Sequence, residues 1–162
     1  LKKLNIYLDT SVINFLFADD APEKRDITIE YFDKFVKTGY YSHYISEIVV
    51  SEILRTKEIE IREKLINVLT EYHLEYVSMD SLEEIEELAA YYIKSKVIPE
   101  NKIDDALHVS ICTIKKIDIL LSWNYRHLAN INKERKITVA NIEAGYSFTP
   151  RLTNPMEVFN DL

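Results

Sequence analysis

Leu4-Asn5-Ile6-Tyr7-Leu8-Asp9-Thr10-Ser11 is the stretch on which the fold turns. Its apolar run over residues 4–8 reads as a short buried strand bounded by a polar turn. An acid and two hydroxyl residues follow at once. Asp9 serves equally well as the cap of a short helix over residues 12–17 or as the first oxygen of a binding site. A cap accounts for one of Asp9, Thr10 and Ser11 and leaves the other two unexplained.

Outward from this strand the pattern alternates. Asp20-Ala21-Pro22-Glu23 is a helix start, with a capping Asp, Pro near the first turn and an acid close behind. The helix that follows buries Ile27, Tyr31, Phe32, Phe35 and Val36, and Gly39 ends it. Residues 40–45 form a second strand, and Ser46 caps a helix through Ile48, Val49, Glu52 and Ile53. A helical pattern over residues 59–69 precedes a third strand at residues 72–77. Ser81-Leu82-Glu83-Glu84 forms a capping box, with Ile85, Leu88, Ala89 and Tyr92 behind it at helical spacing. Pro99 breaks the chain, and Asn101 caps a helix that runs to Lys116. Residues 117–122 and 137–140 supply strands four and five.

Strands separated by helices specify the α/β class: a parallel sheet with helices on both faces, in three Rossmann-like α/β/α layers. No repeat, low-complexity tract or linker divides the chain, so residues 1–162 are expected to form one domain. In such sheets ligands collect beyond the carboxyl ends of the strands, where strand order reverses. Asp9 follows the first strand directly and Asn124 closely follows the fourth.

Composition narrows the function classes. The chain is 47% hydrophobic and 29% charged, as in ordinary globular proteins. Its net charge of −7 argues against a protein that coats nucleic acid by charge alone. Clustered carboxylates that hold metals also count as negative, so a nuclease remains compatible. Two glycines, Gly39 and Gly145, are too few for a Gly-rich phosphate loop of the P-loop or dinucleotide-binding type. There is no apolar run of membrane-spanning length and no signal-peptide pattern. Together with the lone Cys112, these features predict a reducing, cytoplasmic setting without a membrane partner.

Further positions stand out. Glu52 is flanked by Val49, Val50 and Ile53, which predicts a helix face turned inward, whereas Glu47 should face solvent. A carboxylate directed inward needs a cation or donors. Asp104 and Asp105 fall in the first turn of their helix, where acids favour the dipole. That accounts for Asp104 and leaves Asp105 unexplained. His108, one turn on, lies on nearly the same face and reads as a supporting or structural group rather than a metal ligand. Asn124 either caps the next helix or offers an amide oxygen to a hard metal. Arg126 and His127 meet phosphates or form a solvated face. Cys112 sits within an apolar helix and no serine occupies a nucleophile elbow. His43, His73, His108 and His127 lack zinc-like spacing. Oxygen ligands without sulfur or paired histidines indicate Mg²⁺ or Mn²⁺.

Taken in order, the strand ending in Asp9-Thr10-Ser11, Ser46 followed by Glu52, Asp105-Ala106-Leu107-His108 and Leu121-Ser122-Trp123-Asn124 resemble the PIN-domain family, of the kind found as VapC-type toxins. The resemblance runs almost end to end and implies a PIN-like fold. It matches the family's first three acids to Asp9, Glu52 and Asp105, with Ser11 as hydroxyl companion. The fourth acidic place falls on Asn124, where many members carry Asp. Three carboxylates then hold one metal, with Asp104 available to compensate, and a second metal less firmly. The resemblance implies a metal-dependent endoribonuclease, homodimeric and inhibited by an antitoxin protein. Asn124 keeps open an alternative: a catalytically weakened PIN-like module that binds RNA or protein. A dehalogenase-like phosphatase would need an acid two residues after Asp9, where Ser11 stands.

Overall fold

A computed structural model describes residues 2–160. Five parallel strands form one sheet in the order β3-β2-β1-β4-β5. They are β1 (Asn5–Leu8), β2 (Ser42–Ile45), β3 (Glu75–Tyr76), β4 (Ile119–Leu121) and β5 (Arg151–Thr153). The sheet is flanked by α1 (Thr10–Asn14), α2 (Pro22–Tyr31), α3 (Glu47–Leu54), α4 (Ile59–Glu71), α5 (Leu82–Lys94), α6 (Ile103–Ile114), α7 (Ile131–Glu143) and α8 (Pro155–Asn160). This is the parallel α/β architecture that the alternating pattern predicts. Among the described residues no helix is long and apolar enough to cross a membrane.

The central position of β1 follows from its sequence. Ile6, Tyr7 and Leu8 have no exposed surface, as a strand covered on both faces requires. Register is fixed on both sides: Tyr7 pairs with Tyr44 of β2 and with Leu120 of β4. Asp118 pins the start of β1 by accepting the Asn5 N–H at 2.9 Å. Strand order reverses between β1 and β4, so a crevice opens beyond Leu8 and Leu121.

Several elements start or stop where the sequence says they should. Ser46 caps α3 by accepting the Ile48 N–H at 3.2 Å. The turn Phe32–Val36 extends α2 and buries Phe32, Phe35 and Val36, and Gly39 then reverses the chain at φ +67°. Such a conformation suits a residue without a Cβ.

The fifth strand is a correction. Residues 137–140 belong to α7, and the strand beside β4 is Arg151–Thr153. Asn130 caps α7 by accepting the Lys133 N–H at 2.8 Å, and Ile137, Ala140 and Asn141 are its buried face. The α5 and α6 starts also differ. Ser81 makes no side-chain cap bond, and α6 begins after Lys102 rather than at Asn101.

Leu120 is wholly buried between Tyr7 and Leu152 at the centre of the sheet. Leu120→Ala is expected to lower unfolding free energy by about 2–5 kcal/mol, read from urea denaturation with an unchanged slope. A cost below about 1 kcal/mol would contradict this packing.

Candidate functional site

The crevice at β1 and β4 gathers side chains from four elements. Period two along β1 directs Tyr7 and Asp9 to one side of the sheet. Asp9 is nearly fully buried and caps α1: its Oδ1 accepts the Ser11 hydroxyl at 2.5 Å and the Val12 N–H at 3.3 Å. The capping reading of this acid holds. The Asp9 N–H continues the ladder to Leu121 O at 3.1 Å, which sets Asp9 beside the end of β4. Ser11 Oγ in turn accepts the Trp123 N–H at 2.9 Å. The two strand ends are tied together through one hydroxyl.

Glu52 on α3 is half-buried and Glu47 is exposed, as their neighbours predict. One oxygen of Glu52 takes two donors: the Thr10 hydroxyl at 2.8 Å and His108 Nε2 at 2.6 Å. His108 on α6 is buried, and its Nδ1 lies 2.7 Å from the Tyr7 hydroxyl. That hydroxyl also lies 2.7 Å from Ser46 Oγ. A chain Glu52–His108–Tyr7–Ser46 thus crosses the pocket from α3 to α6 and back.

Charge is unevenly neutralised. Burial would raise the Glu52 carboxyl, but the His108 bond and charge, with Thr10 and Arg55, hold it below its ordinary range. Burial likewise favours neutral His108, yet Glu52, Asp9 and Asp105 overcome it and push its pKa up. For Asp9, burial prevails over His108, Ser11, Ser122 and Val12 and raises the carboxyl. Asp105 is pushed up to about 6, first by burial, then by Asp9 and Glu52, against the pull of His108 and Lys102. The mutual effects show that Asp9, Glu52, Asp105 and His108 share one electrostatic site.

The remaining expected residues divide. Asp104 turns away and pairs with Arg55 at 2.7 Å, so it does not compensate for Asn124. Asn124 directs its Nδ2 toward Asp105 Oδ2 at 3.4 Å, and its Oδ1 accepts the His127 N–H at 3.2 Å. Its oxygen is used as a cap and its amide as a donor. Arg126 is exposed and His127 half-buried. Sequence reasoning did not single out Tyr7, Thr10 or Ser122 as site residues. Tyr7 carries no local signal, because its partners lie 39 and 101 residues away.

Among the described residues no three His, Cys, Asp or Glu side chains stand together so as to hold a metal ion. One oxygen of Asp9 and one of Glu52 each accept two hydrogen bonds, and Asn124 donates to one oxygen of Asp105. As placed, these groups form no metal-binding cluster. A cleft of about 820 Å³ lies elsewhere, between the end of α5 and α7, and is lined by Lys96, Val97, Arg135 and Lys136. Lys133, on the same helix, has its pKa lowered first by burial and then by Lys136, against the pull of Asp105.

A native carboxyl titrating near 6 binds a proton that the unfolded chain gives up near pH 4. Stability from this group is therefore present below about pH 4 and lost as pH rises through about 6. In EDTA, Asp105→Asn is expected to raise the melting temperature at about pH 7.5 by roughly 3–6 °C, with little change near pH 4. Equal effects at both pH values would remove this account.

Similarity to known proteins is of two kinds, a family profile and a solved fold. The PIN domain family profile matches residues 6–134. The chain is also similar in fold to a solved structure of VapBC2 from Rickettsia felis bound to a DNA fragment from their promoter. That match has 18% identity over 82% of this chain and 92% of the other, with a TM-score of 0.53. No curated protein sequence matches.

Proposed function

Because this chain belongs to the PIN domain family, we propose that it is a toxin-like PIN module that binds RNA, with a weakened metal centre. One observation carries the weakening: Asn124 stands at the fourth acidic place with its oxygen committed to the His127 N–H, while Glu52 is held by Thr10 and His108. Arg126 and His127, beside Asn124, are the proposed phosphate contacts. We further propose one domain over residues 1–162, a cytoplasmic homodimer, and an antitoxin protein as partner, in keeping with the VapBC-like fold.

A second reading is favoured by one specific feature. Asp105 is held up to about 6, in part by Asp9 and Glu52, a repulsion that a divalent cation relieves. On this reading the chain is a metal-dependent endoribonuclease. Asp9, Glu52 and Asp105 would then move off their present partners to hold Mg²⁺ or Mn²⁺, with Ser11 and His108 supporting them.

Titrating Mn²⁺ by calorimetry and incubating single-stranded RNA with and without EDTA separates the two. The first reading expects RNA binding, an Mn²⁺ Kd weaker than about 1 mM and no EDTA-sensitive cleavage. Cleavage that EDTA abolishes, and that is lost in Asp9→Asn and Asp105→Asn, would replace it with the second. Absence of RNA binding would end both.

A further inference from the structure

Beside the carboxylate pocket lies an aromatic cluster that the preceding readings do not use. Trp123 is buried, with its Nε1–H donated to Thr28 Oγ1 at 2.8 Å and its backbone N–H to Ser11. Phe15 packs against one part of it at 5.9 Å, and Tyr125 meets it edge-on at 5.9 Å. Lys24 reaches over all three rings, with Nζ 5.6 Å from Phe15, 5.7 Å from Trp123 and 5.0 Å from Tyr125. Among the described residues Lys24 has no carboxylate within 4.0 Å.

Phe15 and Trp123 are explained by packing. Tyr125 is not. It is 38% exposed, and its hydroxyl makes no hydrogen bond among the described residues. Its backbone is nevertheless fixed: its N–H bonds Trp123 O at 3.0 Å and its O accepts Asn130 Nδ2 at 2.7 Å. The ring is therefore pre-positioned at little further entropic cost to a ligand. It follows Asn124, whose amide faces Asp105, so it stands at the rim of the pocket.

We propose that Tyr125, braced by Trp123 and Lys24 at the rim of the carboxylate pocket, is a nucleobase-stacking platform for single-stranded RNA. The proposal rests on the RNA-binding reading and names the surface that performs it. Lys24 lies over one face of the ring, and the exposed part of the ring is the surface proposed for the base. Glu23 and Glu157 also bear on the Tyr125 hydroxyl. The local field is thus not built for phosphate alone, and the π face is what the position offers. Stacking is tolerant of sequence because every base has such a face.

The test uses the full chain in EDTA with a fluorescein-labelled single-stranded RNA of mixed sequence, about 12 nucleotides long, a length within the usual site sizes. Anisotropy gives Kd, and emission of the lone tryptophan, Trp123, reports contact at the rim. Tyr125→Phe is expected to bind as the parent does. Tyr125→Ala and Tyr125→Leu are expected to weaken binding about 5- to 100-fold and to lose the change in Trp123 emission. Circular dichroism of each variant checks that it is folded. Wild-type binding that Tyr125→Ala and Tyr125→Leu leave unchanged would overturn the platform while sparing the RNA reading. Failure of the wild-type protein to bind RNA would overturn both and leave the ring to a protein partner.

Discussion

Three carboxylates brought into one pocket repel one another, and the buried imidazole of His108 bears on all three, with Arg55 and Lys102 adding positive charge beside Glu52 and Asp105. The arrangement depends on the 2.6 Å contact between His108 Nε2 and Glu52. With Nδ1 held near the Tyr7 hydroxyl, the ring has one orientation, and its charged form is favoured by the acids around it. A buried ion pair of this kind is costly to break from one side, because the survivor is left without a counter-charge. Asp9 and Glu52 therefore hold defined geometries, while Asp105 accepts one long bond from Asn124 and is pushed up to about 6, first by burial.

The sheet makes this convergence possible. Parallel pairing of β1 with both β2 and β4 sends Asp9, Ser46 and Ser122 out at the same edge. The reversal of strand order between β1 and β4 then leaves room for α6 to deliver Asp105 and His108. Ser11 locks the edge by bonding Asp9 and the Trp123 backbone together. The chain keeps the family's scaffold, and one oxygen of Asp9 and one of Glu52 each accept two hydrogen bonds within the pocket.

Much of this was legible in the sequence because the decisive signals are local. The apolar run before Asp9, the Ser46 cap and the apolar neighbours of Glu52 each state a direction for one side chain, and each direction holds. The misread fifth strand has an equally local cause. Ile137, Thr138 and Val139 are β-branched, but the Asn130 cap and the spacing of Ile137, Ala140 and Asn141 place them in a helix. The true strand, Arg151–Thr153, is three residues long with one buried position, too short to announce itself. Pairings across the fold were not legible. Asp104 is diverted by Arg55, 49 residues earlier in sequence, and Tyr7 reaches His108 across 101 residues.

The acidity of the chain bears on how the proposed RNA contact would work. At a net charge of −7, long-range attraction to a polyanion is unfavourable, and the release of counterions by a few exposed cations gives little affinity. What remains is short-range: a fixed aromatic face, a lysine without a carboxylate partner, and a rim next to groups that accept or donate hydrogen bonds. Stacking loses little to salt because it involves no ion exchange. An acidic protein that recognises RNA through an ordered ring should show affinity that depends weakly on ionic strength and strongly on whether bases are free to unstack. Single-stranded segments meet that condition and duplexes do not. The same charge balance leaves the basic cleft of α5 and α7 as the place where a second, more electrostatic contact would have to lie.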